Sequence, residues 1–375
     1  MNYRVKQIAI LALAASCCSM TANAGGITVA EKGDSKLKLE GLLFLNTYQK
    51  TVTKADDTET KTLGLNLDRA YFTAKYYFDP TWMMRITTDV GQEDTLGKKS
   101  SVYIKYGYVE GNFSPAAQLR LGVSHTPWID YEQGLWKHRY ASKVFIDTNK
   151  FDASSDAGVG LKGGFSSDMI KYWITATNGK GYGDISPSKT MDLDARVSVY
   201  PIKGMTLDLQ VRNGYKGTKT EIDSVSTKGI KNNLFQFMAS YGEKNLYRLA
   251  AGYARNKSDN KDIAGTTKVT ASGYKSIADE TVTDKGYYLW AWGKFPGTEF
   301  GAFGRYESKK ASSDLAATAE EKTSRYLLGL EYMPRSNVNF SLVVDQSKIE
   351  NYRLASGNAS DYKDNRIGVY SQIKF

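Results

Sequence analysis

The sequence predicts an all-β chain: a transmembrane, antiparallel, up-and-down β-barrel of about 16 strands, with short periplasmic turns and long external loops. Three observations carry this. An export leader opens the chain, runs of alternating apolar and polar residues recur along it, and the connections between runs alternate between short and long.

The leader comes first. Arg4 and Lys6 supply a positive start, Ile8 to Cys18 is uncharged and mostly apolar, and Ala22-Asn23-Ala24 has the small-x-small form of a cleavage site. The apolar run is too short for a spanning helix, which needs about 20 residues. Residues 1–24 are therefore expected to be a cleaved secretory signal, and 25–375 a single barrel domain. A lipoprotein signal using Cys17 is disfavoured, because Ala14-Ala15-Ser16 lacks a large apolar residue at its first position. Cleavage removes Cys17 and Cys18, the only cysteines, which excludes a disulfide framework, a thiolate metal site and a cysteine nucleophile from the mature chain. The formal charge of +10 falls to +8 with the leader's two basic residues. Those charges are scattered rather than clustered, and with the export signal they argue against nucleic acid.

Composition fits the same class. The chain carries 26 Tyr, 14 Phe, 6 Trp and 34 Gly but 7 Pro, and its mean hydropathy is −0.45. A membrane barrel reconciles a low average with an apolar surface, since only one face of each strand meets lipid.

The strands follow from period-two alternation. Ala70, Phe72, Ala74, Tyr76 and Phe78 alternate with Arg69, Tyr71, Thr73, Lys75 and Tyr77, and the same rhythm resumes at Trp82 after Asp79-Pro80-Thr81. Such runs fall near 36–50, 63–78, 82–92, 101–113, 118–125, 156–165, 169–178, 190–200, 205–215, 232–241, 246–256, 286–295, 299–308, 323–333, 338–349 and 364–375. Short turns at 79–80, 114–115, 166–168, 201–204, 242–245, 296–297 and 334–337 alternate with longer polar loops, the largest near 126–155 and 257–285. An even number of strands puts both termini on the periplasmic side. A soluble all-β protein would alternate as well, but these runs are mostly about 10 residues, the length that crosses a bilayer at a tilt. Tyr76, Trp82, Tyr106, Tyr108, Tyr241, Tyr247, Tyr253 and Tyr332 lie near run ends, as interfacial girdles would. The last run places Ile367, Val369, Ile373 and the terminal Phe375 on one parity.

With the apolar parity facing lipid, the other parity lines the lumen. Its basic members include Arg69, Arg85, Lys105, Arg120, Lys171, Arg196, Arg212, Arg248, Arg305 and Arg325, and its acidic members, among them Asp89, Asp194, Asp208, Glu307, Glu331 and Asp345, are fewer. Excess positive charge favours passage of anions. Mutual neutralisation across neighbouring strands is the competing reading. The segment 126–155 is far more aromatic than a solvated loop, and folding it into the lumen would bury Trp128, Trp136 and Tyr140 as a constriction. That would bring Asp130, Glu132, Lys137, His138 and Arg139 near the path. His125 and His138 have no spacing that demands a metal, so neither metal nor cofactor is expected.

These features together resemble sixteen-stranded Gram-negative porins, and the resemblance covers the whole mature chain. Leu67-Asp68-Arg69-Ala70-Tyr71-Phe72 resembles the phosphate-selective porin O and P family, and the loop from Trp128 to Tyr140 is similar to porin-like proteins related to it. The resemblance implies a non-enzymatic homotrimer in the lipid of the outer membrane, passing small hydrophilic solutes or anions. It also implies that Phe375 is the recognition signal read by the barrel assembly machinery. Phosphate-selective members carry a ladder of arginines, whereas here bases and acids interleave. Two further readings are a sugar- or other solute-specific channel, with Trp173, Trp290, Trp292 and Phe303 facing inward, and an outer-membrane hydrolase. No Gly-x-Ser-x-Gly elbow speaks for the hydrolase.

Overall fold

The computed structural model describes residues 26–92, 100–165, 169–188, 190–217, 230–259, 267–270, 273–276, 281–314, 320–353 and 359–375. The expected signal at 1–24, and much of the loop at 257–285, lie outside the described residues.

The strands are β1 (Ile27–Lys32), β2 (Ser35–Lys54), β3 (Glu59–Tyr77), β4 (Trp82–Gln92), β5 (Ser100–Ser114), β6 (Ala117–His125), β7 (Ser155–Phe165), β8 (Ile170–Thr177), β9 (Asp192–Val199) and β10 (Met205–Gly214). They continue as β11 (Lys231–Glu243), β12 (Tyr247–Asp259), β13 (Thr267–Thr270), β14 (Gly273–Ser276), β15 (Thr281–Lys294), β16 (Phe300–Ser313), β17 (Glu321–Arg335), β18 (Val338–Arg353) and β19 (Ala359–Lys374). Two helices, α1 (Ile129–Trp136) and α2 (Phe145–Thr148), lie between β6 and β7.

Sixteen of these strands, β2–β12 and β15–β19, pair antiparallel with their chain neighbours and close when β19 pairs with β2, from Tyr362↔Lys54 to Lys374↔Leu42. Closure leaves no sheet edge, so every backbone polar group of the wall finds a partner inside lipid. β1 pairs with β2 from Ile27↔Leu39 to Lys32↔Ser35, continuing the wall just below the point where β19 stops. Gly41 makes this seam possible. Its backbone exchanges hydrogen bonds with Phe375, and the Phe375 ring lies so close that a Cβ at Gly41 would be 1.9 Å from it.

The alternation sorts as expected. Leu63, Leu65, Val102, Leu121 and Leu328 are among the most exposed residues on the outer face, whereas inward-facing neighbours such as Thr73, Thr87 and Ser198 are buried. Strand ends differ from the sequence reading mainly at the long-loop end, where β2, β3 and β15–β19 run several residues further than the apolar pattern does. There the hairpins extend past the apolar band with mostly polar residues. Two β-bulges flank β4 and shift parity locally. In β3 the extra residue is Asp68, between Leu67↔Leu45 and Arg69↔Phe44; in β5 it is Lys105, between Ile104↔Thr88 and Tyr106↔Thr87. The second bulge corrects the girdle expectation, because Tyr106 and Tyr108 face inward and are buried.

Candidate functional site: the lumenal segment and the two mouths

The segment 126–155 lies against the inner face of the barrel. Its apolar side chains Trp128, Ile129, Trp136, Tyr140, Val144, Phe145, Ile146 and Phe151 are at most 2% exposed. They pack on inward residues of the opposite wall, among them Leu234, Met238, Tyr288, Trp290, Phe303 and Val343. This is the molecule's apolar core. A smaller cluster of Met83, Tyr106 and Tyr108, with Tyr77 against it, is buried elsewhere on the inner face.

Polar contacts fix the segment. Glu132 is fully buried; its two oxygens accept the indole N–H groups of Trp128 (2.7 Å) and Trp290 (3.1 Å). Burial pushes its carboxyl above the usual range, against Arg305 and the two indoles. Trp292 donates to the Leu135 carbonyl at 2.8 Å. Glu331 on β17 accepts the Tyr140 hydroxyl (2.6 Å) and the Asn339 amide (2.7 Å), and lies 3.3 Å from His138 Nε2. Arg305 donates to the Lys143 carbonyl at 2.5 Å, and Arg212 to the Phe151 carbonyl at 3.0 Å. On the other wall, Asp130 accepts the Tyr106 hydroxyl at 2.9 Å and lies 2.9 Å from His125 Nε2. Both ring nitrogens of each histidine are engaged, since His125 Nδ1 lies 3.0 Å from Arg120 and His138 Nδ1 lies 2.7 Å from the Trp136 carbonyl.

The basic residues expected in the lumen divide into two groups. Six meet carboxylates: Arg69 with Asp89 (2.5 Å), Arg120 with Glu110 (2.5 Å), Arg196 with Asp208 (3.6 Å), Arg212 with Asp194 (3.0 Å) and Asp152, Arg305 with Glu307, and Arg325 with Asp345 (2.6 Å). The other four meet hydroxyls or rings. Arg85 donates to Thr87 (2.9 Å), Lys105 to Ser154 (2.5 Å) and Arg248 to Ser240 (2.9 Å), and Lys171 lies 5.6 Å from the Tyr200 ring. Cross-strand neutralisation therefore accounts for most of the arginines.

Three consecutive residues of the segment go to three different places. Lys137 is exposed at the short-turn mouth and donates to Asn245 at 2.9 Å. His138 is buried against Glu331 and the Phe303 ring, so the expectation that it borders a solute path is corrected. Arg139 lines a cavity of about 710 Å³ towards the long-loop end and lies 3.5 Å from Asp147. That cavity also holds Lys143, Lys150, Lys309, Arg325 and Arg366 against Asp68, Glu307, Glu321, Asp345 and Asp364, so its charges nearly balance. The short-turn mouth is different. A cavity of about 540 Å³ there is lined by Lys171, Lys203 and Arg248, with Tyr131 and Leu135 of α1 opposite. Burial, and then the fields of Lys294, Arg248 and Lys374, push the Lys137 ammonium below its usual range; Glu331 opposes them.

Trp290, Trp292 and Phe303 do face inward, but the segment covers them, so they anchor it rather than form a track for a sugar. The sequence reading missed Asp147 and Asp152 as partners of Arg139 and Arg212. Their pairing depends on how the segment folds back, and no spacing signals it.

The geometry defines a porin-type barrel with a lumenal segment. No family model matches the chain, and no curated protein does. Among solved structures it is similar to the outer membrane channel DcaP of Acinetobacter baumannii, with a TM-score of 0.64 and 13% identity over 92% of this chain and 99% of that one. It is also similar to an anion-selective porin from Comamonas acidovorans (TM-score 0.57, 12% identity, covering 91% and 100%) and to outer-membrane expressed OmpT of Vibrio cholerae (0.59, 10%, covering 92% and 99%). At such identities the likeness is one of fold.

Proposed function

We propose that this chain is a porin of the Gram-negative outer membrane, passing small hydrophilic solutes and ions by passive diffusion with a preference for anions, phosphate among them. The observation that carries the preference is the short-turn mouth. Arg248, Lys294 and Lys374 lie within electrostatic reach of Lys137 there, and the opposing acid, Glu331, has its oxygens already taken by Tyr140, Asn339 and His138. A local excess of one sign raises the concentration of the opposite ion. The inward arginines are mostly paired with acids, so the preference rests on this mouth and on the segment 126–155 acting as the constriction. Cleavage after residue 24, the orientation with short turns in the periplasm, assembly through Phe375 and a homotrimer belong to the same reading. OmpT of Vibrio cholerae, similar in fold, is described in a trimer form.

The test is the zero-current potential of the purified protein in a planar bilayer under a KCl gradient, with and without phosphate. The expected result is a potential of the sign set by chloride, lowered current with phosphate, and a shift towards the cation sign in R248E/K294E. A cation-signed potential in the parent protein rejects the anion preference and leaves a general pore.

A second reading, a channel for neutral hydroxylated solutes, is favoured by the outer cavity. There Tyr48 and Tyr370 stack at 6.0 Å and 9° beside Asn46 and Asn66, among nearly balanced charges. Sugar flux in liposome swelling that exceeds chloride flux would favour it.

A further inference from the structure

The outer face of the barrel carries a feature that solute passage does not use. On β12, β15, β16 and β17, one cross-strand row holds Arg255, Lys285, Lys310 and Lys322. They are direct cross-strand partners: Arg255↔Lys285, Lys285↔Lys310 and Lys310↔Lys322. All are exposed, and each has the parity of the lipid-facing residues of its strand, such as Tyr253, Tyr287 and Tyr326. Neighbouring strands lie about 4.8 Å apart, so the row spans about 15 Å.

Its height is informative. Towards the long-loop end from the apolar band, Tyr253, Tyr287, Tyr306 and Tyr326 form an aromatic belt on these same strands, with rings of Tyr306 and Tyr326 4.8 Å apart. Such belts mark the boundary between hydrocarbon and head groups. Arg255 and Lys285 are the next outward-facing residues beyond it, and Lys310 and Lys322 stand one outward position further, past Ser308 and Ser324, so the row lies on the head-group side of the belt.

The row is also electrostatically unfavourable as it stands, because like charges directly opposite on neighbouring strands repel. Lys310 is relieved by Glu320 at 3.1 Å. Glu350, the cross-strand partner of Lys322, is held by Lys348 at 2.6 Å. Arg255, Lys285 and Lys322 have no carboxylate partner among the described residues. Along the other way the row ends at Phe235, which pairs with Arg255.

We infer that Arg255, Lys285, Lys310 and Lys322 form a docking row for the phosphate groups of a phosphorylated lipid in the leaflet at the long-loop end. Charge complementarity, head-group height and the unrelieved repulsion each point to a resident anion, and a surface embedded in a leaflet meets lipid first. This rests on the barrel spanning a membrane and is independent of its ion preference.

The experiment uses the purified full barrel in detergent, mixed with diphosphoryl lipid A or with the same lipid stripped of phosphate, and counts bound lipid by native mass spectrometry. The parent protein should bind diphosphoryl lipid A at least tenfold more tightly than the stripped lipid. R255Q/K285Q/K322Q should lose that difference, and R255K/K285R/K322R should keep it. Single-channel conductance, measured on the same samples, should be alike in all three, which separates failure of this proposal from failure of the pore reading. Equal binding of both lipids, or undiminished discrimination by the glutamine variant, overturns the proposal. So does efficient disulfide cross-linking between copies of K285C, which would make the row an interface between subunits.

Discussion

Arg212 shows what an inward arginine does in this barrel. It sits between Asp194 and Asp152, with its third contact on the Phe151 carbonyl, and all three ionic side chains are at most 5% exposed. Taking one member from a buried ionic cluster strands the others, at a cost of roughly 3–5 kcal/mol. R212A should therefore lower the unfolding midpoint markedly in guanidinium, while R248A, whose contacts are a hydroxyl and a carbonyl, should barely move it. Equal midpoints would mean that Asp152 and Asp194 are not charged partners of Arg212. The arginine parity was legible from alternation alone. Which arginines end up neutralised was not, because Asp152 reaches β10 only after the segment folds back across the lumen.

At the scale of elements, the lumenal segment behaves as a small apolar core built inside a polar pore. Its aromatic content was the sequence signal, since Trp128, Trp136 and Tyr140 in one loop have to be buried somewhere. Their seats were not legible: Glu132 clamped by two indoles, and Trp292 and Phe303 as anchors, are set by β15 and β16, distant in sequence. W136A removes a fully buried indole and should cost the segment about 3–5 kcal/mol. The expected outcome is faster proteolytic cleavage between 126 and 155 and a noisier, larger single-channel conductance, with the barrel's thermal unfolding little changed. A conductance indistinguishable from the parent's would show that this segment does not limit flow. The β-bulges at Asp68 and Lys105 belong to this scale too. Each inserts one residue without altering the composition of the run, so strict alternation placed Tyr106 on the wrong face.

For the molecule as a whole, closure is the step that gives stability in lipid. The seam joins the last strand to β2 and rests on the Gly41–Phe375 contact, so the last residue closes the wall against β2. Deleting Phe375 should reduce the heat-modifiable, folded band in outer-membrane fractions several-fold without changing the conductance of the barrels that do assemble. An unchanged folded fraction would mean that the terminal residue is dispensable for assembly.

By itself the sequence determined the barrel class, the number of strands and their antiparallel order. Period-two alternation, turn residues and run length are local properties, and a wall whose apolar side faces lipid preserves them strand by strand. The tertiary structure decided the inside. Whether an inward charge is free or paired, and which aromatics anchor the segment, depend on contacts between residues far apart in the chain. Alternation says which face a side chain takes, and only the closed barrel says what stands opposite it.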